Sequence, residues 1–161
     1  MNRRDAVTAI EVGLSGEEAI ITTVGVISRH FYAVRDDENV FYMAGSMGMA
    51  SSIGVGVALS KPKQPVTIID GDGSLLLNFG ALATVAHHSP SNFMHIVLDN
   101  AAYGSCSREP SMAETVDLAE MADTAGYAST TAVSSSAELE RTITEMAPLM
   151  NGPSFIHAHI E

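Results

Sequence analysis

Apolar and polar positions follow two recurring patterns along this chain. Short runs of apolar, largely β-branched residues predict buried strands at residues 19–24, 40–44, 66–69, 93–98, 127–133 and 154–160. Longer stretches with apolar residues at helical spacing lie between these runs, and the first of them covers Arg4 to Leu14. This alternation predicts an α/β fold, an open and mostly parallel six-stranded sheet with helices on both faces.

Local signals predict several helix ends. Gly126 ends one helix, and Ser135 or Ser136 followed by Glu138 is typical of a helix start. The predicted helix within residues 45–62 is rich in glycine and other small residues, which disfavour a helix unless something approaches the backbone closely. The small residues would allow either a neighbouring strand or a bound cofactor to approach the helix backbone, and both explanations remain open.

Two of the predicted strands end in residues with oxygen-containing side chains. One strand ends at Asp70-Gly71-Asp72-Gly73, and the next ends at Asp99-Asn100. Because the carboxyl ends of parallel strands face the same crevice, Asp72 and Asn100 can meet there. Ser74 opens the following helix, whose N-terminal N–H groups favour an anion.

This arrangement suits a magnesium ion that holds a diphosphate. Mg²⁺ prefers oxygen ligands and takes one or two carboxylates together with phosphate oxygens and water. Asp72 would supply a carboxylate, Asn100 an amide oxygen, and a backbone carbonyl just after Asn100 a third ligand. Gly71 and Gly73 would let the backbone approach the phosphates. Many α/β proteins carry a Gly-Asp-Gly turn, so the Asp-Asn pair after the next strand makes the pattern specific.

Composition and charge narrow the classes of function. A chain of 161 residues with 46% hydrophobic and 17% charged residues predicts one globular domain over residues 1–161. The formal net charge of −11 argues against nucleic acid or an anionic membrane as partner. Without a membrane-spanning run or a signal-peptide core, a cytoplasmic protein is expected. The single Cys106 excludes an internal disulfide and a Cys-rich metal site.

The GDG and DN motifs resemble those of thiamine diphosphate (TPP) enzymes. The chain as a whole, over residues 4–160, looks like the diphosphate-binding domain of TPP-dependent 2-oxoacid decarboxylases. Two segments, FYMAGSMGMASSIGVGVALS at 41–60 and IIDGDGSLLLNFGALATVA at 68–86, are similar to segments of the sulfopyruvate and phosphonopyruvate decarboxylase group. The best-matching stretch is 41–103.

The resemblance implies a site for TPP and Mg²⁺ and assigns its residues. The side chains of Asp72 and Asn100 and the backbone oxygen of Ala102 would bind Mg²⁺. Gly45 would offer its carbonyl to the aminopyrimidine, and Met47 would force the two rings of the cofactor into a bent shape. The implied cofactor-binding residues are Gly45, Ser46, Met47, Gly71, Asp72, Gly73, Ser74, Asn100, Ala102, Tyr103, Gly104 and Ser105.

One part that the family requires is missing from this chain. Enzymes of this type activate the aminopyrimidine with a glutamate from a pyrimidine-binding domain, and no glutamate here can be assigned that role. The resemblance therefore implies a β-type subunit in a hetero-oligomer, whose active site is completed by an α subunit. The implied reaction is the decarboxylation of sulfopyruvate to sulfoacetaldehyde and CO₂, as in coenzyme M biosynthesis. The chain alone should not catalyse it.

Two alternatives remain open. The first is the same domain in a phosphonopyruvate decarboxylase or another split TPP-dependent enzyme, although the lack of Cys clusters disfavours iron–sulfur oxidoreductases. The second is a non-catalytic module of the flavodoxin or receiver type. Such a module would carry acids or a phosphate loop after the first strand, where Thr22-Thr23-Val24-Gly25 provides neither.

Other polar side chains are weaker candidates. Arg108, in the loop after the DN motif, is a candidate for binding an anionic substrate through its planar guanidinium. A solvated arginine paired with Glu109 is the alternative. His157 and His159 face one way on the last predicted strand, but two histidines without a third ligand do not predict a metal site.

Overall fold

Six parallel strands form one sheet in the computed structural model, which describes residues 1–106, 108–147 and 151–161. The strands are β1 (Ala19–Thr22), β2 (Val40–Tyr42), β3 (Val66–Gly71), β4 (Phe93–Asp99), β5 (Ser129–Val133) and β6 (Ser154–His159). They lie in the order β2-β1-β3-β4-β6-β5, and each neighbouring pair is parallel. The predicted fold class is therefore confirmed.

Helices cover both faces of the sheet. Three of them pack on one face: α1 (Arg3–Gly13), α2 (Val26–Val34) and α7 (Ser136–Met146). Four pack on the other: α3 (Ala50–Ser60), α4 (Asp72–Leu77), α5 (Ala81–His88) and α6 (Leu118–Ala125). Since β3 and β4 are buried on both faces, their sequences are almost continuously apolar. Within the described ranges, no helix has the length and apolar character needed to cross a bilayer.

Side chains at the helix ends explain where several helices begin and stop. Asn2 and Asp117 accept backbone N–H groups in the first turns of α1 and α6. Ser135 and Glu138 form the reciprocal capping box of α7, so Ser135 rather than Ser136 is the cap. Gly126 ends α6 with φ 108°, a left-handed conformation that glycine adopts without strain.

The segment after the GDG motif differs from the prediction of one helix that begins at Ser74. β3 continues through Gly71, and α4 begins directly at Asp72 and stops at Leu77. The side chain of Asn78 donates to the backbone oxygen of Gly48 over 3.0 Å, so a contact to the segment before α3 holds the chain where α4 ends. A second helix, α5, then follows.

The small residues of α3 have two different environments. A Cβ on Gly54 would collide with Ile68 of β3 and approach Phe93 of β4, so this glycine lets the helix lie close to the sheet. Gly56 faces open space, with no atom near the position of a Cβ. Close packing against strands therefore explains Gly54 and leaves Gly56 unexplained.

The strand order creates a place for a ligand. From β1 the chain moves outwards to the edge strand β2, and then returns to β3 on the opposite side of β1. Ligands of open α/β sheets bind outside the carboxyl ends of the strands at such a reversal. The end of β1 and the end of β3 therefore define where a site is expected.

Candidate cofactor site

A cleft opens at this position, between the carboxyl ends of β1, β3 and β4. The empty space in and around it is about 620 Å³, which includes open solvent at its mouth. The start of α1, the residues after β1, the start of α4 and the turn after β4 all contribute to it. Its lining residues are Arg3, Thr23, Val24, Val26, Ile27, Met47, Gly71, Asp72, Gly73, Ser74, Leu98, Asn100, Ala102, Tyr103, Gly104, Ser105 and Cys106.

Asp72 is the acidic residue of the cleft. It is the first residue of α4 and is only 3% exposed. Burial raises the pKa of Asp72, and the negative charge of Asp99 raises it further. A hydrogen bond from the Ser111 hydroxyl, 2.5 Å from Oδ2, opposes this rise. None of the described residues forms an ion pair with Asp72. A bound cation is therefore what would stabilise its charged form.

Asn100 lies on a turn whose backbone is strained. Its neighbour Ala101 has φ 52°, in the left-handed region that side chains disfavour. Asp99 stabilises the turn, because its Oδ1 accepts the backbone N–H of Ala101 over 2.7 Å and its Oδ2 lies 2.7 Å from Nε2 of His157. The turn brings both Asn100 and Ala102 into the lining of the cleft.

Ser74 connects three parts of the chain. Its hydroxyl oxygen accepts from the Thr23 hydroxyl over 2.8 Å and from the backbone N–H of Gly48 over 3.0 Å. These bonds use both lone pairs of the oxygen, so the O–H of Ser74 remains available as a donor. A ligand in the cleft with exposed oxygen atoms is a suitable acceptor.

Gly73 and Tyr103 meet on the wall of the cleft. A Cβ on Gly73 would lie 2.6 Å from Cε1 of Tyr103, so only glycine allows the ring to lie against the start of α4. The prediction explained Gly73 by the approach of a phosphate. The structure adds a second reason, which is the contact with the aromatic ring.

Most of the predicted cofactor-binding residues line this cleft. The exceptions are Gly45 and Ser46, which lie between β2 and α3 outside the lining, although the next residue, Met47, belongs to it. Arg108 also lies outside the lining, and it is exposed. That any of these residues binds a cofactor, metal or substrate stays a prediction.

Seven lining residues of the cleft were not predicted from the sequence. They are Arg3, Thr23, Val24, Val26, Ile27, Leu98 and Cys106. Four of these follow β1, and a position at the carboxyl end of a predicted parallel strand is a signal that could have identified them. Arg3 belongs to no motif, so only the folded arrangement shows that the start of α1 reaches the cleft.

Asp99 also belongs to a polar cluster beside the cleft. One ligand atom from each of Asp99, His157 and His159 lies within 4.8 Å of the others, so the third ligand absent from the sequence pattern is present in the fold. However, Nε2 of His157 already lies 2.7 Å from the carboxylate, whereas Nδ1 of the exposed His159 is 3.9 Å away. Burial raises the pKa of Asp99, but hydrogen bonds from His157 and Ala101 outweigh it and lower the pKa. The charge of Asp99 is thus stabilised from within the chain.

An open parallel sheet with oxygen donors at the carboxyl ends of adjacent strands defines an α/β domain of the cofactor-binding class. The sequence matches, over residues 21–158, the family described as "Thiamine pyrophosphate enzyme, C-terminal TPP binding domain". The chain belongs to this family, as its GDG and DN motifs predicted.

Several named relatives are similar over most of this chain. The "Sulfopyruvate decarboxylase subunit beta" of Methanothermobacter thermautotrophicus is 38% identical over 161 residues, which is 100% of this chain and 83% of that protein. The "Phosphonopyruvate decarboxylase" of Streptomyces viridochromogenes is 39% identical over 147 residues, 91% of this chain and 36% of the relative. The "Sulfopyruvate decarboxylase" of Methanosarcina acetivorans is 44% identical over 136 residues, 84% of this chain and 35% of the relative. The chain therefore spans about a third of the longer relatives.

Solved structures share the fold at lower identity. The thiamine diphosphate-dependent 4-hydroxybenzoylformate decarboxylase of Rhodococcus jostii RHA1 aligns with a TM-score of 0.83 at 17% identity, over 100% of this chain and 33% of its own. Benzoylformate decarboxylase from Polynucleobacter necessarius aligns with a TM-score of 0.80 at 16% identity, over 98% of this chain and 32% of its own. At these identities the similarity concerns the fold alone.

Proposed function

We propose that this chain is the TPP- and Mg²⁺-binding β subunit of a decarboxylase that converts sulfopyruvate to sulfoacetaldehyde and CO₂. The observation that carries the proposal is that Asp72, Ser74 and Asn100 share one cleft, in a chain similar along its full length to a protein named sulfopyruvate decarboxylase subunit beta. We also propose a cytoplasmic location, because a single cysteine gives no indication of a disulfide-forming compartment.

The residues of the cleft fit Mg²⁺ and a diphosphate. The Asp72 carboxylate, the Asn100 amide oxygen and the Ala102 carbonyl are hard oxygen donors of the kind that Mg²⁺ prefers. The buried Asp72 has no described cationic partner, and a divalent ion beside it would favour its charged form. The available O–H of Ser74 would donate to a phosphate oxygen.

The chain would position the cofactor and limit access of water to it. When bound, TPP supplies the nucleophilic carbon and the electron sink needed to break the bond between the carbonyl and carboxylate carbons of a 2-oxoacid. Met47 would support the bent arrangement of the two rings from below. Val24, Ile27 and Leu98 would form an apolar wall that limits water in the site.

The activating glutamate would come from a partner. No glutamate is among the described residues that line the cleft, where Asp72 is the only acid. We therefore propose an α subunit that carries a pyrimidine-binding domain and completes the active site in a hetero-oligomer. The names of three relatives as subunit beta support such a partner.

Phosphonopyruvate is the second candidate substrate. Two phosphonopyruvate decarboxylases are 39% and 40% identical to this chain, as similar as the sulfopyruvate decarboxylase subunits. Both substrates place a tetrahedral oxyanion group on a 2-oxoacid, so one site chemistry suits either. We prefer sulfopyruvate because four relatives that are 38% to 44% identical carry its name.

The test has a binding stage and an activity stage. Calorimetric titration with TPP, with and without Mg²⁺, is carried out on the chain alone and co-purified with its partner subunit. We expect TPP binding that depends on Mg²⁺. We expect CO₂ release from sulfopyruvate by the complex only, and we compare it with release from phosphonopyruvate and pyruvate. A lack of Mg²⁺-dependent binding in both preparations contradicts the proposal. Turnover by the chain alone contradicts the shared active site.

A further inference from the structure

Arg3 is the one lysine or arginine among the described residues that line the cleft. It is the first residue of α1 and is half-buried. Its Nη2 atom lies 3.2 Å from the point where a Cβ of Gly104 would be, and Nδ2 of Asn100 lies 3.3 Å from the same point. The guanidinium and the Asn100 amide therefore approach the same part of the cleft.

The charge of Arg3 is not neutralised by the acids near it in sequence. The nearest acid in sequence, Asp5, instead accepts a hydrogen bond from the side chain of Asn2 over 2.7 Å. Among the described residues, Arg3 takes part in neither an ion pair nor a side-chain hydrogen bond. In a chain of net charge −11, a half-buried cation without a carboxylate partner is a feature that a ligand would explain.

The other arginines near this edge of the sheet are placed differently. Arg4, the next residue of α1, is exposed and does not line the cleft. Arg108, which the sequence offered as a weaker candidate for the substrate-binding cation, is also exposed and outside the lining. The pKa of His30 is lowered by burial and then by the positive charges of Arg3 and Arg4, which indicates a positive potential near the start of α1.

We propose that Arg3 binds an oxyanion group in the cleft, through the planar guanidinium that suits phosphate, sulfonate and carboxylate oxygens. This inference rests on the proposed function. The oxyanion has two sources that share this chemistry: the terminal phosphate of the diphosphate and the acidic group of the substrate. If the substrate is the source, Arg3 takes the role that the sequence suggested for Arg108.

The test compares Arg3→Gln with Arg4→Gln, which removes the same charge from the neighbouring, exposed position. Mg²⁺ with inorganic pyrophosphate, and Mg²⁺ with TPP, are titrated calorimetrically into the full chain, alone and with its partner subunit. If Arg3 binds the terminal phosphate, Arg3→Gln lowers the affinity for pyrophosphate and for TPP about tenfold or more. Arg4→Gln leaves both affinities within about twofold of the wild type. Arg3→Lys retains part of the affinity, because it keeps the charge but not the fork.

The kinetic arm identifies the other source. If Arg3 binds the substrate, Arg3→Gln leaves TPP affinity unchanged and raises KM for sulfopyruvate about tenfold, with little change for pyruvate, which lacks the second acidic group. If Arg3→Gln matches Arg4→Gln in every titration and in KM, the inference is wrong, although Mg²⁺-dependent TPP binding by the wild type would still support the proposed function. If the wild type binds neither TPP nor pyrophosphate, both fail.

Discussion

The ends of β3 and β4 carry their oxygen-bearing side chains in different ways. β3 passes directly into α4, so Asp72 is placed by regular secondary structure on consecutive residues. β4 passes into an irregular turn with a left-handed Ala101, and Asn100 is held there through Asp99 and His157, which lies on β6. The position of Asp72 therefore depends on local sequence, whereas that of Asn100 depends on a contact between residues far apart in the chain.

Two of the buried acids at these strand ends, Asp72 and Asp99, also differ electrostatically. Burial raises the pKa of Asp72, which has one hydrogen bond from Ser111 and no described cationic partner. Burial acts on Asp99 in the same direction, but donors from His157 and Ala101 lower its pKa overall. A carboxylate without internal compensation is suited to bind a cation, and a compensated one is suited to hold a turn. Asp72 and Asp99 therefore have separate roles.

Replacing His157 should have the largest effect on stability. His157→Ala leaves the buried Asp99 carboxylate without its main partner, so we expect a loss of about 3 kcal/mol in the free energy of unfolding at neutral pH. The lowered pKa of Asp99 means that this stabilisation is present above the unfolded-state pKa and is lost as the pH falls through the folded-state pKa. The deficit of the variant should therefore shrink in acid, as measured by urea denaturation at several pH values.

His157→Gln serves as the matched control. Glutamine keeps an N–H donor at a similar reach, so it should recover part of the stability that alanine loses. Equal losses for the two variants would show that the hydrogen bond to Asp99 is unimportant. The variants also test the turn, because weaker Mg²⁺-dependent TPP binding is expected wherever the Asp99 contact is lost.

Asp72→Asn, at the end of β3, should impair ligand binding rather than stability. Replacing a desolvated carboxylate by an amide removes the charge needed for Mg²⁺, so TPP binding should weaken about 100-fold or more. The free energy of unfolding should stay equal or rise, since the charge is unfavourable in the buried position. Calorimetry measures the TPP affinity and thermal unfolding measures the stability. Asp36→Asn, at an exposed position, is the control. A large loss of stability would show that Asp72 holds the fold rather than a ligand.

Gly73→Ala should have an intermediate effect. The added Cβ would meet the ring of Tyr103 at 2.6 Å, so a destabilisation of about 1–3 kcal/mol is expected as the ring is displaced. Gly56→Ala in α3 is the control, because its Cβ enters open space and should stabilise the helix by about 0.5–1 kcal/mol. Tyr103→Leu in the Gly73→Ala background should restore stability if the ring is the obstacle. No gain would refute the steric explanation.

The same division between local and distant contacts decides what the sequence could predict. The strands, the parallel sheet and a helix cap at Ser135 or Ser136 follow from periodicity and local motifs. The placing of Asp72 and Asn100 at one cleft follows from two motifs at neighbouring strand ends, although the contact that holds Asn100 in its turn was not predicted. The break between α4 and α5 was missed, because it coincides with a contact from Asn78 to the segment before α3. The approach of Arg3 to the cleft was missed for a similar reason, since it depends on how α1 packs against the sheet.

The smallest expected effect concerns His30, whose titration reports on the position of Arg3. Burial and the charges of Arg3 and Arg4 lower the pKa of His30, so Arg3→Gln should raise it, and Arg4→Gln should raise it less because its contribution ranks below that of Arg3. NMR titration of the imidazole Cε1 proton measures both shifts directly. Because the pKa of His30 is lowered in the folded state, its contribution to the free energy of unfolding is lost as the pH falls through the folded-state pKa. Arg3→Gln should therefore make the free energy of unfolding less dependent on pH below neutrality. If the two variants shift the pKa of His30 equally, or if neither does, the charge of Arg3 does not act on His30 more strongly than that of Arg4.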